Sequence, residues 1–279
     1  MTARTHYAPA VINALFEAVE MDDVVDPVVS LPDPIPVECT EEAMRACLDL
    51  CTQFWREGAL RADMRALADT LLLTGDLPSD ARRRYKLIRA RYKHLRFALV
   101  LYGEDHRVPV LFGATVAVMG HLQDAYRNGR RSAVFGYALL LRLLLTGPVW
   151  VRVLHEVKRV RLDGADGFLR YRREEVGRLR QWLDDARLTA HRFHAMRKIV
   201  SRQVSFYDTM RTLQPDDRLY RMSRFLSAIN GLMGSMHDDL VESAVAGTHD
   251  YRRDEVVMPD DIRCRLERLA LAYPERRAA

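Results

Sequence analysis

No apolar run in this chain is long and unbroken enough to span a bilayer. The longest, YALLLRLLLTGPVWV at 137–151, is interrupted by Arg142, Gly147 and Pro148. A crossing helix needs roughly 20 continuous apolar residues, so no transmembrane segment is expected and a buried helix is the better reading. Cysteine is scarce as well. Four in 279 residues form no disulfide framework, and thiols in a reducing cytoplasm are expected. Cys47 and Cys51 share a helix face without a Cys-x-x-Cys pair, which favours buried thiols over zinc. A Gly-x-Ser-x-Gly element, a P-loop and a Gly-x-Gly-x-x-Gly fingerprint are all lacking, so no nucleophile elbow or nucleotide cradle is indicated. The N-terminus has no basic-then-apolar pattern, so no secretory leader is expected.

Bases are nearly absent from the first 40 residues. Arg4 stands there against Glu17, Glu20, Asp22, Asp23, Asp26, Asp33 and Glu38, for a net −6, leaving +11 on the remainder against an overall +5. A body that basic favours polyanions: polyphosphate, nucleic acid or an anionic membrane surface. Acids, in turn, are missing from 81–103 and from AHRFHAMRKIVSR at 190–202. A solvated helix face usually mixes both signs.

Strand-like alternation is absent too, and helical periodicity runs from residue 41 to the C-terminus, so the expected class is all-α. A short helix is expected at 10–20. Prolines 27, 32, 34 and 36 make 21–40 an extended linker. Thr40 reads as the N-cap of a helix at 41–57, and a second helix at 59–74 ends at Gly75. Ser79 reads as the cap of a helix at 81–102. Further breaks are expected near 103–109, 128–131, 147–148, 163–167, 213–217, 246–250 and 258–260. The domain reading is an acidic, Pro-rich tail and linker at 1–40, a helical extension at 41–78, and a body of duplicated antiparallel helical bundles at 79–279, with repeats at 79–185 and 186–279.

The duplication rests on paired motifs. MGHLQD at 119–124 and MGSMHD at 233–238 are both Met-Gly-x-x-x-Asp, each downstream of a basic helix. Lys86-x-x-Arg89 aligns with His194-x-x-Arg197 at nearly the same offset. At 100° per residue, Arg82, Lys86, Arg89, Lys93 and Arg96 form one stripe. Arg187, His191, His194, Lys198 and Arg202 form another, flanked by Arg197. The opposite faces are apolar and able to pack a bundle.

With these residues the chain resembles a CHAD domain over about 81–275. That family opens each of two related four-helix units with His-x-x-Arg-x-x-x-basic-basic-x-Arg and closes a later helix with Gly-x-x-x-Asp. His194, Arg197 and Arg202 match the opening in the second unit, while Ser201 and Val204 stand where bases are expected. In the first unit Lys86 replaces the histidine, and Arg89, Lys93, His94 and Arg96 fit. Gly120 with Asp124, and Gly234 with Asp238, match the closing element. The resemblance implies binding of inorganic polyphosphate, and some members are linked to phosphate-handling enzymes.

Phosphate chains call for closely spaced cations: arginine offers a two-pronged fork and lysine a point charge. One wall of a basic groove between the repeats is expected from Lys86, Arg89, Lys93 and Arg96, and the other from His194, Arg197, Lys198 and Arg202. His194 is expected to be neutral without ligand and a donor in the complex. Asp124 and Asp238 are expected either to accept hydrogen bonds from an arginine of their own basic helix or to serve helix ends. The motif glycines allow a close approach or a turn. Neither a catalytic residue, a metal nor a cofactor is called for. Three other readings stay open: a nucleic-acid-binding helical protein, a protein-interaction scaffold, and a Mg-dependent isoprenyl-diphosphate enzyme built on HDDLVE at 237–242, with Asp184-Asp185 as a second cluster. The acidic tail is either a solubilising extension or an internal competitor for the basic groove.

Overall fold

The computed structural model describes residues 5–185 and 188–274. Eleven α-helices account for the regular structure of these residues, and the only β pairing among them is two isolated bridges, Gly103–Leu162 and Thr189–Glu255. The fold is all-α. The chain divides into two compact units, residues 1–8 with 44–163 and residues 9–43 with 164–279.

The first unit holds α2 (Glu41–Gly58), α3 (Arg61–Thr74), α4 (Ser79–Tyr102), α5 (Val110–Arg127), α6 (Arg131–Leu144) and α7 (Gly147–Arg159). Thr40 caps α2 as expected, its Oγ1 accepting from the Ala43 amide at 3.1 Å. Gly75 ends α3 in the left-handed region at φ 75°, where a residue without Cβ is unstrained. Ser79 is not a cap. It begins α4, and Pro78 holds the cap position without a side-chain bond. Pro109 leaves the start of α5 equally uncapped, and Glu156 of α7 takes over. Its carboxylate accepts from the Leu111 and Phe112 amides at 2.9–3.1 Å, placing negative charge on the positive end of α5. The core is aromatic: Trp55 meets Tyr92 and Phe112 edge-on at 5.5 and 5.4 Å. Cys47 and Cys51 are buried thiols.

The apolar run at 137–151 is not the buried helix expected. It is split between α6 and α7, which meet at a 71° bend, and no single helix among the described residues is long and apolar enough to cross a membrane. Pro148 sits in the first turn of α7, where its missing N–H has no helical partner to lose. Val134, Ala138 and Leu141 face the core, but Phe135, Leu139, Leu140 and Leu143 are exposed.

The second unit holds α1 (Pro9–Glu20), α8 (Ala165–Leu183), α9 (Ala190–Leu213), α10 (Asp217–Val245) and α11 (Asp260–Ala272). The contact boundaries differ from the expected repeats: α8 groups with α9 to α11, and residues 9–43 belong to this unit. The segment read as a tail is a strap. Its apolar residues Ile12, Leu15, Val19, Ile35 and Val37 are buried. Its carbonyls accept from side chains of three helices: Arg224 donates to Met21 and Val24, Asn230 to Asp22, Tyr207 to Pro36 and Arg172 to Val37. Proline accounts for the last two: around Pro34 and Pro36 the segment has few amides with which to pair its own backbone, and its carbonyls find donors elsewhere. Arg172, fully buried, lies 3.9 Å from the Phe206 ring centroid and also donates to Gln203.

Between α9 and α10 runs a buried polar seam. The Ser201 hydroxyl reaches Asn230 at 2.8 Å, and the Ser223 hydroxyl donates to Asp208 at 2.6 Å. Burial pushes the Asp208 carboxyl up to about 7, against the pull of nearby Arg211. The folded state therefore retains a proton that the unfolded chain loses near 3.8. The resulting stabilisation is complete below the unfolded value and is lost as pH rises through about 7. Asp208→Asn should flatten the stability curve between these limits and raise stability at pH 8, as read by denaturant melts across pH.

Gly231 supplies a second test. A Cβ there would run into the backbone carbonyl of Asp23 in the strap. Backbone cannot swing aside as a side-chain tip can, so Gly231→Ala should destabilise the fold by about 1–3 kcal/mol, visible as a lowered thermal midpoint.

Candidate functional site

In the first unit the cationic face lies on α4. Lys86 is exposed, while Arg89, Lys93 and Arg96 are half-buried. Arg89 crosses α5 over Gly120: a Cβ on that glycine would lie 3.2 Å from a terminal guanidinium nitrogen. Its Nε is buried without a hydrogen-bond partner. The Lys93 ammonium lies 5.7 Å from the Phe97 ring centroid. Arg82 is held by Asp76 and lies 5.7 Å from the Tyr126 ring centroid. Tyr85, packed against Tyr126, donates its hydroxyl to the Met119 carbonyl at 3.0 Å. Burial pushes the Tyr126 hydroxyl up to about 12, so at neutral pH it is a donor and not a competing anion.

The second unit places its cations on the first turns of α9. His191 and Lys198 are exposed, and His194 and Arg197 are half-buried. Arg197 repeats the geometry of Arg89. It lies across Gly234 of α10, with a terminal nitrogen 2.9 Å from where a Cβ would stand. In both units a Met-Gly-x-x-x-Asp glycine thus accommodates the arginine of a 24-residue basic helix. Both glycines lie inside their helices, so close approach and not a turn is the role they serve. The sequence reading missed two neighbours. The His194 ring stacks on that of His237 with centroids 4.5 Å apart, and Tyr251 stands 3.0 Å from His237 Nε2. His237 lies within the quoted MGSMHD motif, and only its stacking partner was hidden. Burial, then Lys198 and His237, holds His194 down to about 3, and its Nδ1 is buried without a partner. His194 is therefore neutral at pH 7 in the free protein.

Several expected residues fall elsewhere. Arg202 turns inward and pairs with fully buried Glu175, which also accepts from Tyr171; a buried carboxylate needs that cation and withholds it from a surface site. His94 packs in the core, its ring 5.7 Å from Phe54, and burial holds it down to about 3. Ser201 and Val204 stand where the resemblance expects bases, and both are buried. A charge there would lack water. Asp124 accepts no side-chain hydrogen bond among the described residues, Arg89 included; it lies one turn from the end of α5, exposed. Asp238, by contrast, stays beside the α9 face, 3.6 Å from His237 Nδ1. Arg187 lies outside the described residues. Asp185 pairs with Arg192, while Asp238, Asp239 and Glu242 are exposed. Among the described residues no group of three or more His, Cys, Asp or Glu side chains is placed to hold a metal ion.

No protein-family model, no curated protein and no solved structure matches the chain.

The glycine contacts generate a test in which stability and binding part. Alanine is favoured over glycine inside a helix by roughly 0.5–1 kcal/mol, and the displaced group at Gly234 is only the tip of a flexible arginine. Gly234→Ala should therefore melt no lower than wild type by calorimetry, and any anion binding by the α9 face should weaken several-fold on titration, because Arg197 is moved off its seat.

Proposed function

We propose that this chain binds a polyanion through the cationic faces of α4 and α9, and that inorganic polyphosphate is preferred over nucleic acid. The observation that carries the reading is the repeated arginine-over-glycine seat, together with the orphaned Nε of Arg89. The Arg89 guanidinium, seated against Gly120 with its buried Nε unpaired, is preorganised for an oxyanion. Lys86, Arg89, Lys93 and Arg96 are the contacts proposed on α4, and His194, Arg197 and Lys198 those on α9. Arg202 is left out because Glu175 engages it. Neutral His194 would donate an N–H, and a bound anion would raise its affinity for a proton.

Polyphosphate is favoured by what these faces lack. Tyr85, Tyr92 and Phe97 on α4, and Phe193, Phe206 and Tyr207 on α9, are all buried. Neither helix offers an exposed phenylalanine, tyrosine or tryptophan ring on which unpaired bases could stack. The resemblance to CHAD domains points the same way.

Binding of size-fractionated polyphosphate, measured with RNA and DNA as competitors, is the deciding experiment. Arg89→Gln should weaken polyphosphate binding about tenfold, the loss of one charge-assisted contact, and affinity should fall steeply with salt. RNA or DNA displacing polyphosphate at lower concentration would transfer the proposal to nucleic acid. Absence of binding to any of the three would favour a protein-interaction scaffold.

A further inference from the structure

The exposed side of α6 is apolar where a surface helix is normally polar. Phe135, Leu139, Leu140 and Leu143 are 57%, 46%, 42% and 56% exposed. At 100° per residue they span an arc of about 140°, shared only with Ser132 and Gly136. No charged residue lies within it. Val151, 63% exposed, continues the apolar surface onto α7. The rest of the outer side of α7 is basic: Arg152, His155, Lys158 and Arg159 are all exposed.

Charge decides what fits such a face. Between residues 131 and 160 the only acid is Glu156, and its carboxylate is taken by the amides at the start of α5. The α6–α7 corner therefore presents grease beside uncompensated positive charge. A second copy of the chain is a poor match. Two-fold pairing through this face would set Arg152, Lys158 and Arg159 near their own copies, with no acid in the patch to relieve them. An anionic bilayer surface supplies both complements at once: acyl chains for the leucines and Phe135, and lipid phosphates for the cations. The opposite sides of both helices stay packed within the unit, through Val134, Ala138 and Leu141 on α6 and Val153 and Val157 on α7. The bend and this packing fit a corner that lies on a membrane, not a segment that crosses one.

We infer that the α6–α7 corner is a docking surface for anionic lipid bilayers, separate from the polyanion-binding faces of α4 and α9. Its apolar side chains would insert at the headgroup boundary while Arg152, Lys158 and Arg159 meet the phosphates.

Co-sedimentation with vesicles tests it, using phosphatidylcholine alone and phosphatidylcholine with about a third phosphatidylserine. Wild type should sediment with the mixed vesicles and not with the neutral ones. Leu139→Glu with Leu143→Glu should cut that binding about tenfold or more, given the apolar area withdrawn and the charge introduced. Both sites are exposed, so the variant should melt as wild type does by circular dichroism. Arg89→Gln with Arg197→Gln should still sediment. Failure of wild type to bind the mixed vesicles would overturn the inference. So would undiminished binding by the α6 variant, because the lipid would then be one more polyanion held elsewhere. A wild-type dimer in sedimentation velocity that the α6 variant dissolves would overturn it in favour of a second copy. These outcomes stand apart from the polyphosphate assay, so either proposal can fail alone.

Discussion

A guanidinium can lie flat against a helix only where that helix carries no Cβ beneath it. Gly120 and Gly234 meet this requirement for Arg89 and Arg197, and the candidate site depends on it. The space that a Cβ would fill is left to the tip of each arginine, and both side chains are half-buried. The glycines are tolerated inside their helices because each helix is long and well packed, so the local loss of helical preference is spread over many other contacts.

The same helices show how burial sorts cations by purpose. Arg172 is enclosed by aromatic rings and carbonyls, and ties the strap to α8 within the second unit. Arg202 neutralises Glu175. Arg224 hydrogen-bonds to strap carbonyls. None of these faces a ligand, although sequence alone presents them as equal members of a basic chain. Arg89, with its unmatched Nε, is of another kind. The excess positive charge of the chain is thus partly internal scaffolding, and net charge overstates the surface available to a polyanion.

Fold class was readable because periodicity and end signals agree: Thr40 before α2 and Gly75 after α3 fall where the structure places them. The pairing of Arg89 with Gly120 was half readable, since both stood in quoted motifs but nothing local says which helices cross. Arg202 was misread because a helical stripe cannot reveal a buried acid on another helix. The 137–151 run was misread for a related reason. Hydrophobicity normally implies burial, and here one side of α6 departs from that rule. The strap was read as a tail because its acids and prolines are those of a disordered segment. Its anchoring runs through backbone carbonyls, which every sequence carries alike.

Because residues 9–43 group with 164–279, the first unit interrupts the second along the chain. During synthesis the strap leaves the ribosome long before α8, α9 and α10 exist to receive it. The intervening unit can complete its own core in that interval, since domains generally fold as units. Its folding also draws the two ends of the interruption together, so the loop that the strap must close is shorter than the residue count suggests. Order of manufacture and order of assembly thus differ for the strap, which is made early and meets its partner helices late.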